Sequence, residues 1–231
     1  MPQISVIVPV FNEEGNVAPM CEALRELAST TSEYGWEFVF IDDGCVDNTF
    51  RLLCEQNEGD PRIKVVQLSR NYGSAIAASA GLQLASGDAA VVIAGDLQDH
   101  PREIPRLLEI WRQGFDVVWA VRATRDDPPM ARFFSRLFAR IIRRVALPSF
   151  PESGSGSFCL LSRVVISAFN AFPEHHRAFG TLVLHFGFRQ AQISYHRLRR
   201  EIGESKWSFR QKVKAAIDIV VSFSVLPLRI G

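Results

Sequence analysis

Four short runs of apolar, largely β-branched residues each stop abruptly in a polar loop, and stretches of helical length separate them. The runs are residues 4–10, 36–41, 63–68 and 89–93. Strands alternating with helices predict an α/β chain with a mostly parallel central sheet flanked by helices. The run 89–93, Ala-Ala-Val-Val-Ile, has no polar residue, which is the pattern of a strand covered on both faces of a parallel sheet. Open sheets of this kind bind ligands beyond the carboxyl ends of their strands. The chemistry of the chain is therefore expected in the residues that follow each run.

Those residues are rich in oxygen donors. The first run leads into Phe11-Asn12-Glu13-Glu14-Gly15-Asn16 and the second into Asp42-Asp43-Gly44-Cys45-Val46-Asp47-Asn48-Thr49. The third leads into Ser69-Arg70-Asn71-Tyr72-Gly73, and the fourth into Ala94-Gly95-Asp96-Leu97-Gln98-Asp99-His100-Pro101. Carboxylate and amide oxygens suit a hard cation such as Mg²⁺ or Mn²⁺, which most often holds substrate phosphates. An acidic loop also caps helices, and Asp99 is expected to be the N-cap of a helix that begins at Pro101. Capping leaves Asp96 and Gln98 unexplained. Three acidic loops and an Arg-Asn-x-Gly loop on one edge predict a nucleotide-phosphate site.

A chain of 231 residues that is 47% hydrophobic can bury a sizeable core in one domain. Its formal charge of +1 gives no reason to expect nucleic acid as a partner. Cys21, Cys45, Cys54 and Cys159 show no C-x-x-C spacing, and free thiols fit a reducing cytosol. The start, Met-Pro-Gln before a strand, lacks the pattern of a signal peptide or an anchor, and neither is expected there. There is no internal repeat, and linker-like composition is confined to residues 125–129 and 148–157.

The basic residues are arranged with a period. Over residues 131–147 Phe133, Phe134, Leu137, Phe138, Ile141, Ile142 and Val145 mark one helical face, and Arg132, Arg136, Arg140 and Arg144 recur at every fourth position. An amphipathic helix of this kind either packs on a sheet or lies in a membrane interface against anionic head groups. Residues 206–214 are again basic and aromatic, and residues 215–228 are apolar but interrupted by Asp218 and Pro227. That interruption predicts a segment lying on a membrane, not through it.

In order along the chain, Val6-Ile7-Val8-Pro9-Val10-Phe11-Asn12-Glu13-Glu14, the loop 42–49 and the loop 94–101 resemble family 2 glycosyltransferases of the GT-A fold. Gly187-Phe188-Arg189, Arg197-x-x-Arg200, Gly203-Glu204-Ser205-Lys206-Trp207-Ser208 and Ser222-Phe223-Ser224-x-x-Pro227-Leu228-Arg229 resemble its polyprenyl- or dolichyl-phosphate branch. The resemblance implies a GT-A catalytic domain over 1–205, including the helix at about 131–147, and a juxtamembrane segment over 206–231. It implies an inverting transfer of a sugar from a UDP- or GDP-type donor to a polyprenyl phosphate at the cytoplasmic face of the membrane. Similar enzymes continue past Pro-Leu-Arg into transmembrane helices, whereas this sequence ends at Gly231, as a trimmed or a naturally short member would.

Roles follow from the same resemblance. Asp96 and Gln98 would hold a divalent metal, Mg²⁺ or Mn²⁺, that bridges the donor diphosphate. Pro9, Asn12, Glu13, Asp42 and Asp43 would bind the nucleoside, with Arg70 nearby. A lipid phosphate is already ionised near neutral pH and needs no general base, so arginines matter on the acceptor side because a guanidinium grips phosphate bidentately. Arg122 and Arg136 resemble the branch's phosphate-gripping pair, and Lys206 and Arg200 are further candidates. A homo-oligomeric state is left open. Two departures stand out: Ala94 occupies the first position of the family's Asp-x-Asp, and Ser157 replaces a carboxylate. A hydroxyl is a poor base at neutral pH. This disfavours a related enzyme acting on a polysaccharide hydroxyl and leaves a weakened nucleotide-sugar-binding paralogue as the other alternative.

Overall fold

The structure, a computed structural model, describes residues 1–123, 158–172 and 179–198. Its strands are β1 (Gln3–Val10), β2 (Gly35–Asp42), β3 (Ile63–Gln67), β4 (Ala89–Val92), β5 (Val117–Arg122), β6 (Cys159–Ser162) and β7 (Gln190–Tyr195). The described helices are α1 (Val17–Thr30), α2 (Thr49–Gly59), α3 (Ser74–Leu84), α4 (Ile104–Arg112), α5 (Arg163–Ala171) and α6 (Phe179–His185). The four runs expected to be strands are β1 to β4, with ends within a residue or so of those read from the sequence.

The strands form one sheet in the order β3-β2-β1-β4-β6-β5-β7. β1 lies between β2 and β4 and is parallel to both, and β3 continues parallel to β2. β6 runs antiparallel to β4 and to β5, and β7 returns to the parallel direction beside β5. The apolar run 89–93 therefore does not sit among parallel strands alone. Burial on both faces makes it apolar, and an antiparallel neighbour is compatible with that. Every described strand except β6 points the same way, so six described carboxyl ends share one edge.

Period-two alternation divides the sheet between two cores. Val6, Val8, Phe38, Phe40, Val91 and Ile93 face Met20, Leu24, Leu53, Ile104 and Leu107 from α1, α2 and α4. Ile7, Val39, Ile41, Ala90 and Val92 face Ala77, Leu82, Val165, Phe169 and Leu182 from α3, α5 and α6. The result is a three-layer helix–sheet–helix sandwich. The small residues of α3 let it approach closely, since a Cβ on Gly81 would stand 2.3 Å from Ile7 Cγ2. No helix among the described residues is long and apolar enough to cross a membrane.

The opposite edge of the sheet is held by a buried carboxylate. Glu37, paired in register with Ser5, accepts hydrogen bonds from the Ser5 hydroxyl, from Lys64 Nζ at 2.6 Å and from the Ser86 N–H at 2.6 Å. Burial alone would push its carboxyl up, but the hydrogen bonds from Lys64, Ser5 and Ser86 outweigh burial and hold it at about 2. Asp60, bonded by Arg62 and partly opposed by burial, is also lowered to about 2.

Both carboxyls are depressed on folding, so their stabilisation is complete above their ordinary values of 4.5 and 3.8 and is lost as pH falls toward 2. Urea unfolding is expected to show stability level from pH 7 to about 5 and falling steeply below it. Glu37→Gln should unfold more easily at pH 7, by about 2 kcal/mol after discounting for the half-exposed Lys64, and should show a shallower acid limb than the wild type. An acid limb of unchanged slope would remove Glu37 from this role.

Candidate active site

The loops after β1 and β2 are laced together by side chains. Asn12 accepts the Val46 N–H through Oδ1 at 2.9 Å and donates its own N–H to Cys45 Sγ at 3.0 Å. Glu13 donates its N–H to Thr49 Oγ1 at 2.8 Å, and its carboxylate accepts from Asn16 Nδ2 at 2.6 Å. Glu14 accepts from both the backbone and the side chain of Asn48 at 3.0 Å. Asn12 has a φ of 51°, a left-handed conformation that asparagine tolerates better than most residues. Pro9 lies on β1, opposite Ile41.

The two acids after β2 carry different loads. Asp42 is fully buried and accepts from the Cys45 N–H at 2.7 Å and from Gln67 Nε2 at 3.0 Å, which ties β2 to β3 and starts the turn. Asp43 accepts the N–H groups of Tyr72 and Gly73 at 2.7 and 2.8 Å, one on each oxygen. It thereby fixes the loop after β3 at the start of α3. Burial raises its carboxyl, and the two backbone hydrogen bonds oppose that rise. Beside them the Cys45 thiol is pushed up to about 12, first by burial and then by Asp42, so it is no nucleophile at neutral pH. Arg70 is exposed and lies over the Tyr72 ring, 4.7 Å from its centre.

Gly44 lets these two loops meet. Its φ is 71°, and a Cβ there would stand 2.4 Å from the Arg70 carbonyl carbon and 2.6 Å from the Asn71 nitrogen. Gly95 does the same between β4 and β1, where a Cβ would meet Val10 Cγ1 at 2.6 Å.

The loop after β4 is the centre of the edge. Asp96 turns the chain by accepting the Gln98 N–H at 3.2 Å, and Leu97 takes a φ of 57°, an unfavourable value for a leucine. Asp99 is not the helix cap expected from the sequence. His100 takes that place, its Nδ1 accepting the Arg102 N–H at 3.2 Å, and Pro101 opens a single 3₁₀ turn before α4. Asp99 is instead turned inward, 2% exposed, where it accepts from the Tyr195 hydroxyl and from Arg197 Nε at 2.9 Å. A carboxylate that can satisfy two buried or half-buried donors at the end of β7 is more valuable there than at a cap that His100 can supply. Arg197 also lies 3.9 Å from Asp96, so one guanidinium stands between two carboxylates. The Tyr195 hydroxyl is raised, chiefly by burial and by Asp99, against the opposing charges of Arg122 and Arg197. The segment after β7 is strapped on by the Leu198 N–H to the Gln98 carbonyl at 3.0 Å and by Gln98 Nε2 to the Leu198 carbonyl at 3.4 Å.

All the expected residues that fall within the described ones, Pro9, Asn12, Glu13, Asp42, Asp43, Arg70, Asp96, Gln98 and Arg122, belong to this edge. Arg122 ends β5 in register with Tyr195. Arg136, Ser157, Arg200, Lys206, the helix expected at about 131–147 and the segment 206–231 lie outside the described residues. Tyr195 and Arg197 had no role assigned from the sequence. Arg197 stands in the quoted Arg-x-x-Arg, but nothing in the linear order shows that it meets an acid near residue 99.

Among the described residues no group of three or more His, Cys, Asp or Glu is placed to hold a metal ion. One carboxylate, Asp96, and one amide, Gln98, suit a hard divalent cation that takes its remaining ligands from phosphates and water. The donor set thus fits an ion that arrives with a nucleotide better than a resident one.

Comparison with known proteins agrees with this geometry. The profile of glycosyl transferase family 2 matches residues 5–178. An uncharacterized glycosyltransferase of Synechocystis is 34% identical over 229 residues, covering 99% of this chain and 71% of that protein. The undecaprenyl-phosphate 4-deoxy-4-formamido-L-arabinose transferase of Pectobacterium carotovorum is 34% identical over 235 residues, covering 98% of this chain and 69% of that protein. Among solved structures, a mannosyltransferase from Pyrobaculum calidifontis in complex with GDP-Man and Mn²⁺ superposes with a TM-score of 0.64 at 19% identity, over 95% of this chain and 62% of its own. Glucosyl-3-phosphoglycerate synthase from Mycobacterium tuberculosis, in complex with Mn²⁺ and UDP-Glc, gives 0.59 at 18% identity, over 96% of this chain and 77% of its own. Both structures share the GT-A fold.

The close approach at Gly44 has a measurable cost. Gly44→Ala is expected to destabilise the chain by about 2 kcal/mol or more, from a left-handed φ and a backbone clash together. Gly59, at the end of α2 with no atom within 4 Å of a built Cβ, serves as the control. Gly59→Ala should be neutral or stabilising by up to about 1 kcal/mol. Equal urea midpoints for the two variants would contradict the contact between the loops after β2 and β3.

Proposed function

The chain belongs to glycosyl transferase family 2, and from that premise we propose that it is a metal-dependent, inverting transferase that moves a sugar from a nucleoside-diphosphate donor to a polyprenyl phosphate at the cytoplasmic face of a membrane. The observation that carries the lipid-phosphate reading is the likeness to an undecaprenyl-phosphate sugar transferase over 98% of the chain. The structures solved with GDP-Man or UDP-Glc and Mn²⁺ support the donor and metal classes.

In this reading the loops after β1, β2 and β3 bind the nucleoside. Asn12, Glu13 and Arg70 face it, and Asp42 and Asp43 contribute by holding the loop backbones that border it. Asp96 and Gln98 would hold a divalent cation, which would supply positive charge to the departing diphosphate. An acceptor phosphate oxygen attacks the anomeric carbon, and the bond from that carbon to the donor diphosphate breaks with its electron pair going to the nucleoside diphosphate. The configuration inverts, because attack comes from the face opposite the leaving group. An ionised phosphate needs no base, which agrees with a serine at position 157. Arg122, at the end of β5, receives the acceptor phosphate, with Arg136, Lys206 and Arg200 as further contacts. Residues 131–147 and 206–231 place the enzyme on the membrane surface.

A screen of radiolabelled sugar nucleotides against short polyprenyl phosphates, with and without Mn²⁺, tests this directly. Transfer to the lipid phosphate that depends on the metal is expected for one donor. Asp96→Asn should lower turnover about a hundredfold or more, since it weakens the hold on the cation whose charge would offset that of the leaving diphosphate. Arg122→Gln should raise KM for the lipid phosphate about tenfold while leaving nucleotide binding intact. Transfer to a sugar hydroxyl without any lipid phosphate would overturn the acceptor assignment.

A further inference from the structure

Arg197 stands against both acids of the loop after β4, and it is held there on several sides. Its Nε bonds Asp99 at 2.9 Å, and Nη2 reaches the other Asp99 oxygen at 3.5 Å and Asp96 at 3.9 Å. Asp99 is itself fixed by the Tyr195 hydroxyl from the end of β7. The flanking residue Leu198 is strapped to Gln98 by its backbone N–H and carbonyl. The side chains of Arg197, Asp96 and Asp99 are 21%, 11% and 2% exposed, so their charges are only partly screened by water. A guanidinium this close to Asp96 repels a second cation at the same carboxylate. Two phosphates would reverse that balance.

We propose that Arg197 is a positioning residue that keeps positive charge beside Asp96 until a nucleoside diphosphate arrives, so that the divalent cation is taken up together with the nucleotide and not before it. The inference rests on the reading that Asp96 holds the cation. Asp99 and Tyr195 serve as the anchor that sets how far Arg197 leans toward Asp96. The order of uptake is then a property of the apo protein's own charges, written into the contact between the ends of β4 and β7.

Binding of Mn²⁺ to the full chain, followed by electron paramagnetic resonance without nucleotide and with UDP or GDP, tests this without any turnover. The wild type is expected to bind Mn²⁺ weakly alone and at least tenfold more tightly with one of the nucleotides. Arg197→Gln should bind Mn²⁺ alone about tenfold more tightly than the wild type, because a neighbouring positive charge is gone, and the gain from nucleotide should shrink accordingly. Arg197→Lys, which keeps the charge, should preserve the wild-type dependence. Asp99→Asn should act with the opposite sign to Arg197→Gln: it leaves Asp96 as the carboxylate paired with Arg197, and Mn²⁺ alone should bind more weakly. This pair carries the test if Arg197→Gln fails to fold. A merely structural role for Arg197 predicts weaker Mn²⁺ binding in Arg197→Gln under both conditions. That result, or affinity equal to the wild type, overturns the inference and leaves the metal reading of Asp96 standing. If the wild type binds no Mn²⁺ even with nucleotide, both fall.

Discussion

Buried and half-buried side-chain oxygens that accept backbone N–H groups hold the carboxyl edge of this sheet in shape. Once parallel strands end, the loops have no ladder to complete, and each unpaired N–H left inside costs free energy. Asp42 and Asp43 take the N–H groups of Cys45, Tyr72 and Gly73, Asn12 takes that of Val46, and Thr49 takes that of Glu13. Each of these contacts joins two different loops or closes one. The same acidic residues that read as ligand-binding groups in the sequence are therefore partly committed to the scaffold. Asp96 stands at the middle of a frame whose geometry they set.

The glycines and the strained residues complete that frame. Gly44 and Gly95 let loops touch at distances that a Cβ would forbid. Asn12 and Leu97 adopt left-handed backbones at the two loops nearest the centre. Conformations of this kind cost of order 1 kcal/mol or more each and persist only where surrounding contacts over-determine them. Here the surrounding contacts are the Asn12 bonds to the loop after β2 and the bonds between Gln98 and Leu198.

Much of the scaffold was legible in the linear order. The apolar runs gave four strands because burial favours apolar side chains, with Ser5 and Glu37 admitted as a hydrogen-bonded pair, and their polar sequels marked the functional edge. What failed was anything that depended on a distant partner. Asp99 followed by Pro101 satisfies the local rule for a helix start, and the local rule lost to a buried tyrosine and an arginine nearly 100 residues away. The antiparallel β6 was likewise invisible, since a strand buried on both faces looks the same whichever way its neighbour runs. Conversely, the duties of Asp42 and Asp43 as loop anchors could not be separated from nucleotide binding by composition, because both tasks require a carboxylate.

The central claim is that donor nucleotide and divalent ion occupy this carboxyl edge, at the loops after β1 to β4. Amide hydrogen exchange with nucleoside diphosphate and Mn²⁺ added together measures this most directly. Protection is expected at residues 43–49, 70–73 and 95–99, with little change at Ser86 and Gly87 on the opposite edge beside Glu37. Protection confined to the Glu37 edge, or none at residues 95–99, would contradict the claim.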